Sequence, residues 1–187
     1  MANANSITPI EVRVENISQL FDTLDPFPFP ERDLDKDAED YIVGWARELP
    51  RDQPIVIYIH LPPDELSKHG DPNVLASAFR RFFDYRAGIV VRDLNELFRV
   101  GRTALLIGLV VLALCLTAAR VTTNLFDGAF GGFLQESLII LGWVANWKPI
   151  EIFLYDWWPL VRRRNLYRRL GQATVQFQPS VRVSEQH

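Results

Sequence analysis

Two opposite charges, Lys148 and Glu151, lie in an otherwise apolar and aromatic segment, NWKPIEIFLYDWWPLVRRR, residues 146–164. They are three residues apart, so on a helix they are close enough to form an ion pair. Pro149 cannot donate to the carbonyl of Ala145, and we expect a kink there that frees this carbonyl for a polar partner. Two interpretations stay open: a locally neutralised pair, or part of an ion or proton pathway.

The same segment ends in residues suited to the boundary between lipid and water. Two tryptophans are followed by five arginines, in the order Trp157, Trp158, Arg162, Arg163, Arg164, Arg168 and Arg169. Tryptophan is enriched at headgroup depth, and arginine contacts anionic lipid at the surface. The pattern predicts membrane-interface anchors, with anionic lipid at the cytoplasmic face as a partner.

Metal-binding patterns are weak in this sequence. Four potential ligands cluster in one segment, namely His60, Asp64, Glu65 and His69, but their spacing matches no standard zinc site. Three alternating aspartates, Asp33, Asp35 and Asp37, resemble the start of a calcium loop. Such a loop needs glycine at its sixth position and glutamate at its twelfth, where this chain has Ala38 and Gly44. We therefore predict no metal and no cofactor.

Motifs that would identify a reaction are absent from the sequence. No nucleophile elbow joins the serines, histidines and aspartates, and the GAFGGF stretch has no following lysine to bind phosphate. The expectation is a protein that is not an enzyme. A weaker alternative is an enzyme that acts at the membrane surface through the loop from His60 to His69.

Charge and hydropathy divide the chain into two parts. Residues 1–100 carry a net charge of −7 and residues 101–187 a net charge of +4, which together give the −3 of the whole chain. Between Arg102 and Arg120 lie seventeen uncharged residues, a length at the lower edge of what crosses a bilayer. The acidic first half argues against nucleic-acid binding.

The second membrane span has two possible placements. In the preferred one, a helix over 133–158 ends in Trp157 and Trp158 at the cytoplasmic interface, which buries Lys148 and Glu151 about 10–15 Å deep. In the other, Trp143 and Trp147 mark the interface and residues 149–160 lie on the surface. The second placement leaves a short uncharged stretch after Glu136 and moves that carboxylate toward the middle of the bilayer.

Soluble elements precede and follow the two spans. Alternating apolar residues predict strands at 7–16 and 54–63, separated by a helix that continues from Pro30 to about Leu49. The helical spacing predicts one packed face on that helix, formed by Leu34, Ala38, Tyr41, Ile42, Trp45 and Leu49. A third strand at 174–183 can complete the sheet if both termini lie on one side of the membrane.

A long amphipathic helix is predicted to connect the sheet to the first span. Its apolar stripe consists of Leu75, Phe79, Phe82, Phe83, Val90, Leu94 and Leu97. The pattern has no clear stop before the uncharged run, so one continuous helix from about 72 to 120 is possible. The stripe is interpreted as an assembly surface that packs against the strands or against another protomer.

Arginines set the predicted orientation. They flank the inner ends of both spans, whereas the intervening loop carries Arg120 alone. By the positive-inside rule, both termini are expected in the cytoplasm, and the membrane is expected to be a bacterial inner membrane.

The predicted fold is an α+β membrane protein: a two-helix transmembrane hairpin with a small cytoplasmic β-α-β domain and a stalk helix. The predicted regions are a cytoplasmic β-α-β region (1–71), a stalk helix (72–102), a first span (103–121), an external loop (122–132), a second span (133–158), and a basic segment with the tail strand (159–187). The leading hypothesis is a non-enzymatic oligomeric scaffold or accessory subunit that associates with itself or with another membrane protein. The alternative is a subunit of an oligomeric ion or proton pore or transporter that uses Lys148 and Glu151.

Overall fold

The structure, a computed structural model, describes residues 8–21, 33–68, 72–125 and 128–180. It is mostly helical, with one small sheet. The strands are β1 (Ile10–Arg13), β2 (Val56–Leu61) and β3 (Thr174–Pro179). The helices are α1 (Lys36–Glu48), α2 (Pro63–Lys68), α3 (Pro72–Leu125), α4 (Ala129–Val144), α5 (Trp147–Glu151) and α6 (Trp157–Gly171), with a 3₁₀ turn at Ile17–Gln19 and a π-helix at Ile152–Asp156.

The chain forms two compact units. Unit 1 comprises Met1–Ile89 and Arg163–His187, and unit 2 comprises Val90–Arg162.

The sheet of unit 1 has the order β1-β2-β3, and both strand pairs are parallel. The predicted tail strand is confirmed, because β3 pairs with β2 from Val56 opposite Thr174 to Leu61 opposite Pro179. Pro179 stands on an edge strand, which tolerates a residue without an N–H group. The parallel direction was not predicted from the sequence.

The core of unit 1 lies against one face of the sheet. Ile57, Ile59 and Leu61 of β2 are fully buried, whereas the intervening residues are half-buried. Phe79 of α3 packs edge-on against Phe177 of β3, with ring centroids 6.4 Å apart. Burial of large aliphatic and aromatic side chains is what stabilises a water-soluble core.

Helix α1 begins later than predicted. Asp35 is its N-cap, and its carboxylate accepts a hydrogen bond of 2.9 Å from the backbone N–H of Asp37. This cap satisfies one of the free N–H groups of the first turn and fixes the point at which the helix begins. The predicted packed face was wrong at two positions, since Tyr41 and Trp45 are 47% and 48% exposed.

A continuous helix through the stalk and the uncharged run is confirmed, because α3 has 54 residues without a break. It ends at Leu125, beyond the predicted end of the span at residue 121, and α4 begins at Ala129, before the predicted start at 133. The link between the helices is thus shorter than the predicted loop at 122–132.

Two helical stretches, Pro72–Thr122 and Ala129–Gly171, are long and apolar enough to cross a membrane. In the most apolar part of each, only 17% and 22% of the residues are buried. The core helix of a soluble protein would be mostly buried. The low buried fraction of these two stretches therefore differs from that of a soluble core helix.

Candidate functional site

Lys148 and Glu151 form the ion pair that their spacing predicts, and Asp156 lies beside the same lysine. Lys148 Nζ lies 3.1 Å from Glu151 Oε2 and 3.6 Å from Asp156 Oδ2. All three side chains have solvent-exposed surface, 64% for Lys148, 44% for Glu151 and 34% for Asp156. The arrangement neutralises the lysine locally and leaves one negative charge.

In unit 2, α3 packs against the helices that follow it and forms a hairpin with them. The contacts between them show which residues of α3 lie beside the charged cluster. A Cβ atom built on Gly101 of α3 would lie 2.9 Å from Cγ2 of Ile152, so these two residues are side by side. Glu151 is therefore within about one helical turn of the level of Arg102, the charge that opens the uncharged run. Lys148 is about one turn further along the hairpin.

The second predicted span is interrupted at Ala145–Asn146, where a turn separates α4 from α5. Pro149 is buried in the first turn of α5, where a missing N–H costs nothing because it would have no helical acceptor. The kink expected near Pro149 thus takes the form of a break just before it.

Asn146 is the principal polar residue in the interior of unit 2. Its Nδ2 donates to the carbonyl of Gly108, at 3.1 Å, and to the carbonyl of Gly142, at 3.0 Å. A Cβ atom on Gly108 would lie 2.6 Å from Asn146 Oδ1 and 3.1 Å from the carbonyl oxygen of Ala145. Glycine at position 108 is therefore required for this close contact between the two helices.

Small residues line the same side of α3. From residue 94 onward, five buried positions lie seven residues apart, namely Leu94, Gly101, Gly108, Cys115 and Thr122, and Ala119 is buried as well. On the other helix, Gly142 is equally tight, since a Cβ there would lie 2.8 Å from Leu112 Cδ1. Sequence reasoning missed this interface, although the seven-residue spacing of small residues was a readable signal.

A π-helix at Ile152–Asp156 follows the charged cluster. Such a segment leaves backbone groups without the usual helical partners, and Trp157 Nε1 donates to the carbonyl of Phe153 at 2.9 Å. The ring of Phe153 stacks on that of Phe98, with centroids 6.2 Å apart. Trp157 is thus held by a structural hydrogen bond.

The predicted interface anchors divide into exposed and engaged residues. Trp158 is 60% exposed, and the guanidinium of Arg162 lies 5.8 Å from the centroid of its ring. In unit 1, Arg163 donates to the hydroxyl of Tyr167 and Arg164 to the side chain of Asn165. Arg168 is exposed.

Arg169 has a structural role in unit 1. Its Nη2 donates to the carbonyls of Pro50 and Gln53, at 2.7 and 3.0 Å. It thereby fixes the loop that precedes β2. These two hydrogen bonds occupy the guanidinium of Arg169, whose contact with lipid stays a prediction.

The predicted assembly stripe is part of the interior of the chain. Its first six members are buried, with exposed fractions from 0 to 8%, and Leu97 is half-buried: Leu75, Phe79, Phe82, Phe83, Val90, Leu94 and Leu97. Of the two packing partners considered from the sequence, the strands of the same chain are the ones found for Phe79.

A buried charged cluster in unit 1 was not predicted. Glu39 of α1 is only 5% exposed, and its carboxylate accepts hydrogen bonds from Arg86 Nη2 and, at 3.0 Å, from the hydroxyl of Tyr167. The ring of Tyr167 stacks on Phe83, with centroids 6.2 Å apart. The cluster joins α1, α3 and α6 and satisfies the buried carboxylate, which would be costly alone.

The edge of the sheet provides a groove. An open cavity of about 530 Å³ lies beside β1 and is lined by residues 11–14 together with Gln19, Ala38 and Tyr41. The hydroxyl of Tyr41 donates to the outward carbonyl of Glu11 at 3.2 Å. In the described part of the chain, β1 pairs with β2 alone.

Among the residues that the structure describes, no group of three or more histidine, cysteine or acidic side chains comes together as metal ligands would. His69 lies outside those residues, and the carboxylate of Asp35 serves as a helix cap. His60 lies on β2, with its Nε2 buried and without a hydrogen-bond partner in the described structure.

Comparisons with protein-family models, with curated proteins and with solved structures gave no match.

Proposed function

We propose that this protein is a non-enzymatic integral membrane protein that serves as an oligomeric scaffold or as an accessory subunit of a larger membrane complex. One observation carries the membrane part of the proposal: unit 2 exposes many large apolar side chains, whereas several of its buried residues are small or polar. Leu106, Leu114 and Phe133 are 66%, 65% and 68% exposed, whereas Asn146 is 6% exposed. An apolar surface of this kind is unfavourable in water and favourable in contact with lipid chains.

The sheet supports an even number of membrane crossings. β3 follows the second long helix in sequence, yet it pairs with β2, which precedes the first. This pairing supports the proposal that both ends of the hairpin emerge on one side of the bilayer. The arginines at those ends, including Arg99, Arg102 and Arg162, favour the cytoplasm by the positive-inside rule.

The assembly part of the proposal is supported by the open edge of β1. Parallel sheets are usually covered on both faces, and unpaired edges are places where a further strand can bind. The groove beside β1 is bordered by Tyr41, and the ring of Tyr41 contacts that of Trp45, with centroids 6.3 Å apart. Exposed aromatic pairs next to a free strand edge are typical of protein-binding surfaces.

Alkaline extraction and native purification test the two parts separately. We expect the protein to remain with the membrane in alkaline carbonate and to purify in mild detergent as a particle larger than its single chain of 21.5 kDa. Release by carbonate would overturn the membrane assignment. A lone chain without a co-purifying protein would overturn the assembly role alone.

A matched pair of variants tests the edge of β1. The register of the sheet turns the backbone N–H of Arg13 away from β2, since the N–H of Val14 bonds the carbonyl of His60. Arg13→Pro removes this outward N–H and should reduce the size of the native particle, whereas Arg13→Ala removes the same side chain and should not. Equal particle sizes for both variants would contradict assembly through this edge.

A further inference from the structure

Charges lie at two levels of the hairpin of unit 2. On α3, Arg102 and Arg120 bound the uncharged run. On the other helix, Glu151 is within about one turn of Arg102, as the contact between Gly101 and Ile152 establishes.

The second level follows from Gly142. It contacts Leu112, and the two helices run in opposite directions, so Glu136 lies within about one turn of Arg120. Glu136 is therefore not near the middle of the hairpin, where the surface placement of residues 149–160 had seemed to put it. Glu136 and Glu151 thus lie near the levels of Arg120 and Arg102, and Lys148 lies about one turn inward from Glu151.

The distance between these levels is short. At about 1.5 Å per residue it is about 27 Å along the continuous helix α3, from Arg102 to Arg120. The hydrocarbon core of a typical bilayer is about 30 Å thick. Arginine and lysine can extend their charges toward the headgroups, but the shorter carboxylate side chains of Glu136 and Glu151 reach less far.

We propose that the hairpin is fitted to a bilayer with a thinner than average hydrocarbon core, formed by lipids with short acyl chains. The inference rests on the proposed membrane function and specifies its lipid partner. In a thick bilayer, Glu136 and Glu151 would be drawn below the headgroups, and the membrane would have to thin around the protein. In a thin bilayer, both carboxylates remain hydrated.

Reconstitution tests the inference. The full chain is incorporated into phosphatidylcholine vesicles whose monounsaturated chains range from about fourteen to about twenty-two carbons, and the fraction resistant to alkaline extraction is measured. We expect this fraction to be greatest with the shortest chains and to fall at least about twofold with the longest. Glu136→Leu lengthens the uncharged stretch that contains α4. The chain length that gives the largest resistant fraction should therefore increase.

Glu96→Leu is the matched control, because it removes an exposed carboxylate that lies before Arg102 and outside the two levels. It should leave the maximum unchanged. Equal incorporation into all vesicles, a maximum at the longest chains, or the same maximum for both variants would overturn the inference and leave the membrane assignment intact. Failure to incorporate into any vesicle would overturn the membrane assignment as well.

Discussion

The two units of the chain differ in the kinds of side chain that they bury. Unit 1 buries large side chains such as Phe79, Phe83 and Ile57, and its buried charge, Glu39, is paired. Unit 2 buries Gly108, Cys115 and Asn146 and exposes leucine, phenylalanine and tryptophan. In water, burial of apolar surface drives folding; in lipid, that force is missing, and close packing with hydrogen bonds takes its place. The comparison supports the proposal that unit 2 lies in lipid.

Removing a large side chain from unit 1 should have the largest effect. Phe83 is fully buried and contacts the rings of Phe82 and Tyr167. Phe83→Ala should lower the free energy of unfolding by about 3–5 kcal/mol, because it removes apolar burial and leaves a cavity. Chemical denaturation in mild detergent, followed by circular dichroism, measures this. Tyr85→Ala on the same helix is the control, since Tyr85 is 56% exposed; equal losses would contradict the packing described for unit 1.

Adding a methyl group inside unit 2 should have the next largest effect. Gly108→Ala places a Cβ atom against Asn146 and the backbone of Ala145 and should cost about 1–3 kcal/mol, although alanine is the better helix former. Gly132→Ala is the matched control, because nothing lies within 4 Å of its Cβ position. Thermal unfolding in detergent should separate the two variants. If Gly108→Ala were as stable as Gly132→Ala, the close contact between the helices would be wrong.

Removing the hydrogen bonds of Asn146 should have a smaller effect. Asn146→Ala loses both bonds that Nδ2 makes, to Gly108 and to Gly142, and should lower stability by about 1 kcal/mol. The exposed Asn95 of α3 gives a control in the same unit, Asn95→Ala. The same unfolding assay measures both. No difference between them would mean that small-residue packing alone holds the hairpin.

Neutralising the charged cluster should have the smallest effect. Lys148 and Glu151 are exposed and pair with each other at the end of the uncharged run, so the double variant Lys148→Met with Glu151→Gln should leave the unfolding temperature unchanged. Ion flux into liposomes that hold the protein should also be unchanged. Flux that the wild type supports and the double variant loses would favour the pore alternative over the accessory role.

The sequence predicted the features that depend on local pattern. Alternation of apolar residues located the strands, including the tail strand, and the uninterrupted periodicity from Pro72 predicted one long helix. The pair Lys148–Glu151 follows from helical spacing alone. These features need no information from distant parts of the chain.

Features that depend on distant partners were not predictable. In the sequence, Glu39 does not differ from the other acidic residues of its helix. It can be buried because its carboxylate is bonded by Arg86 and Tyr167, which are 47 and 128 residues away in sequence. Tyr41 was assigned to the packed face, yet its hydroxyl bonds the edge of β1. The break at Asn146 likewise depends on Gly108, which lies on another helix. Periodicity describes a single element and cannot show which partner that element finds.

Solvent accessibility at two matched positions tests the central claim most directly. In a Cys115→Ala background, a single cysteine introduced by Leu114→Cys or by Tyr85→Cys carries a spin label in native-like membranes. Both positions are well exposed, 65% in unit 2 and 56% in unit 1. We predict that the label at 114 is reached by oxygen and shielded from a water-soluble nickel complex, and that the label at 85 shows the reverse. Equal access of the nickel complex to both positions would contradict the assignment of unit 2 to lipid.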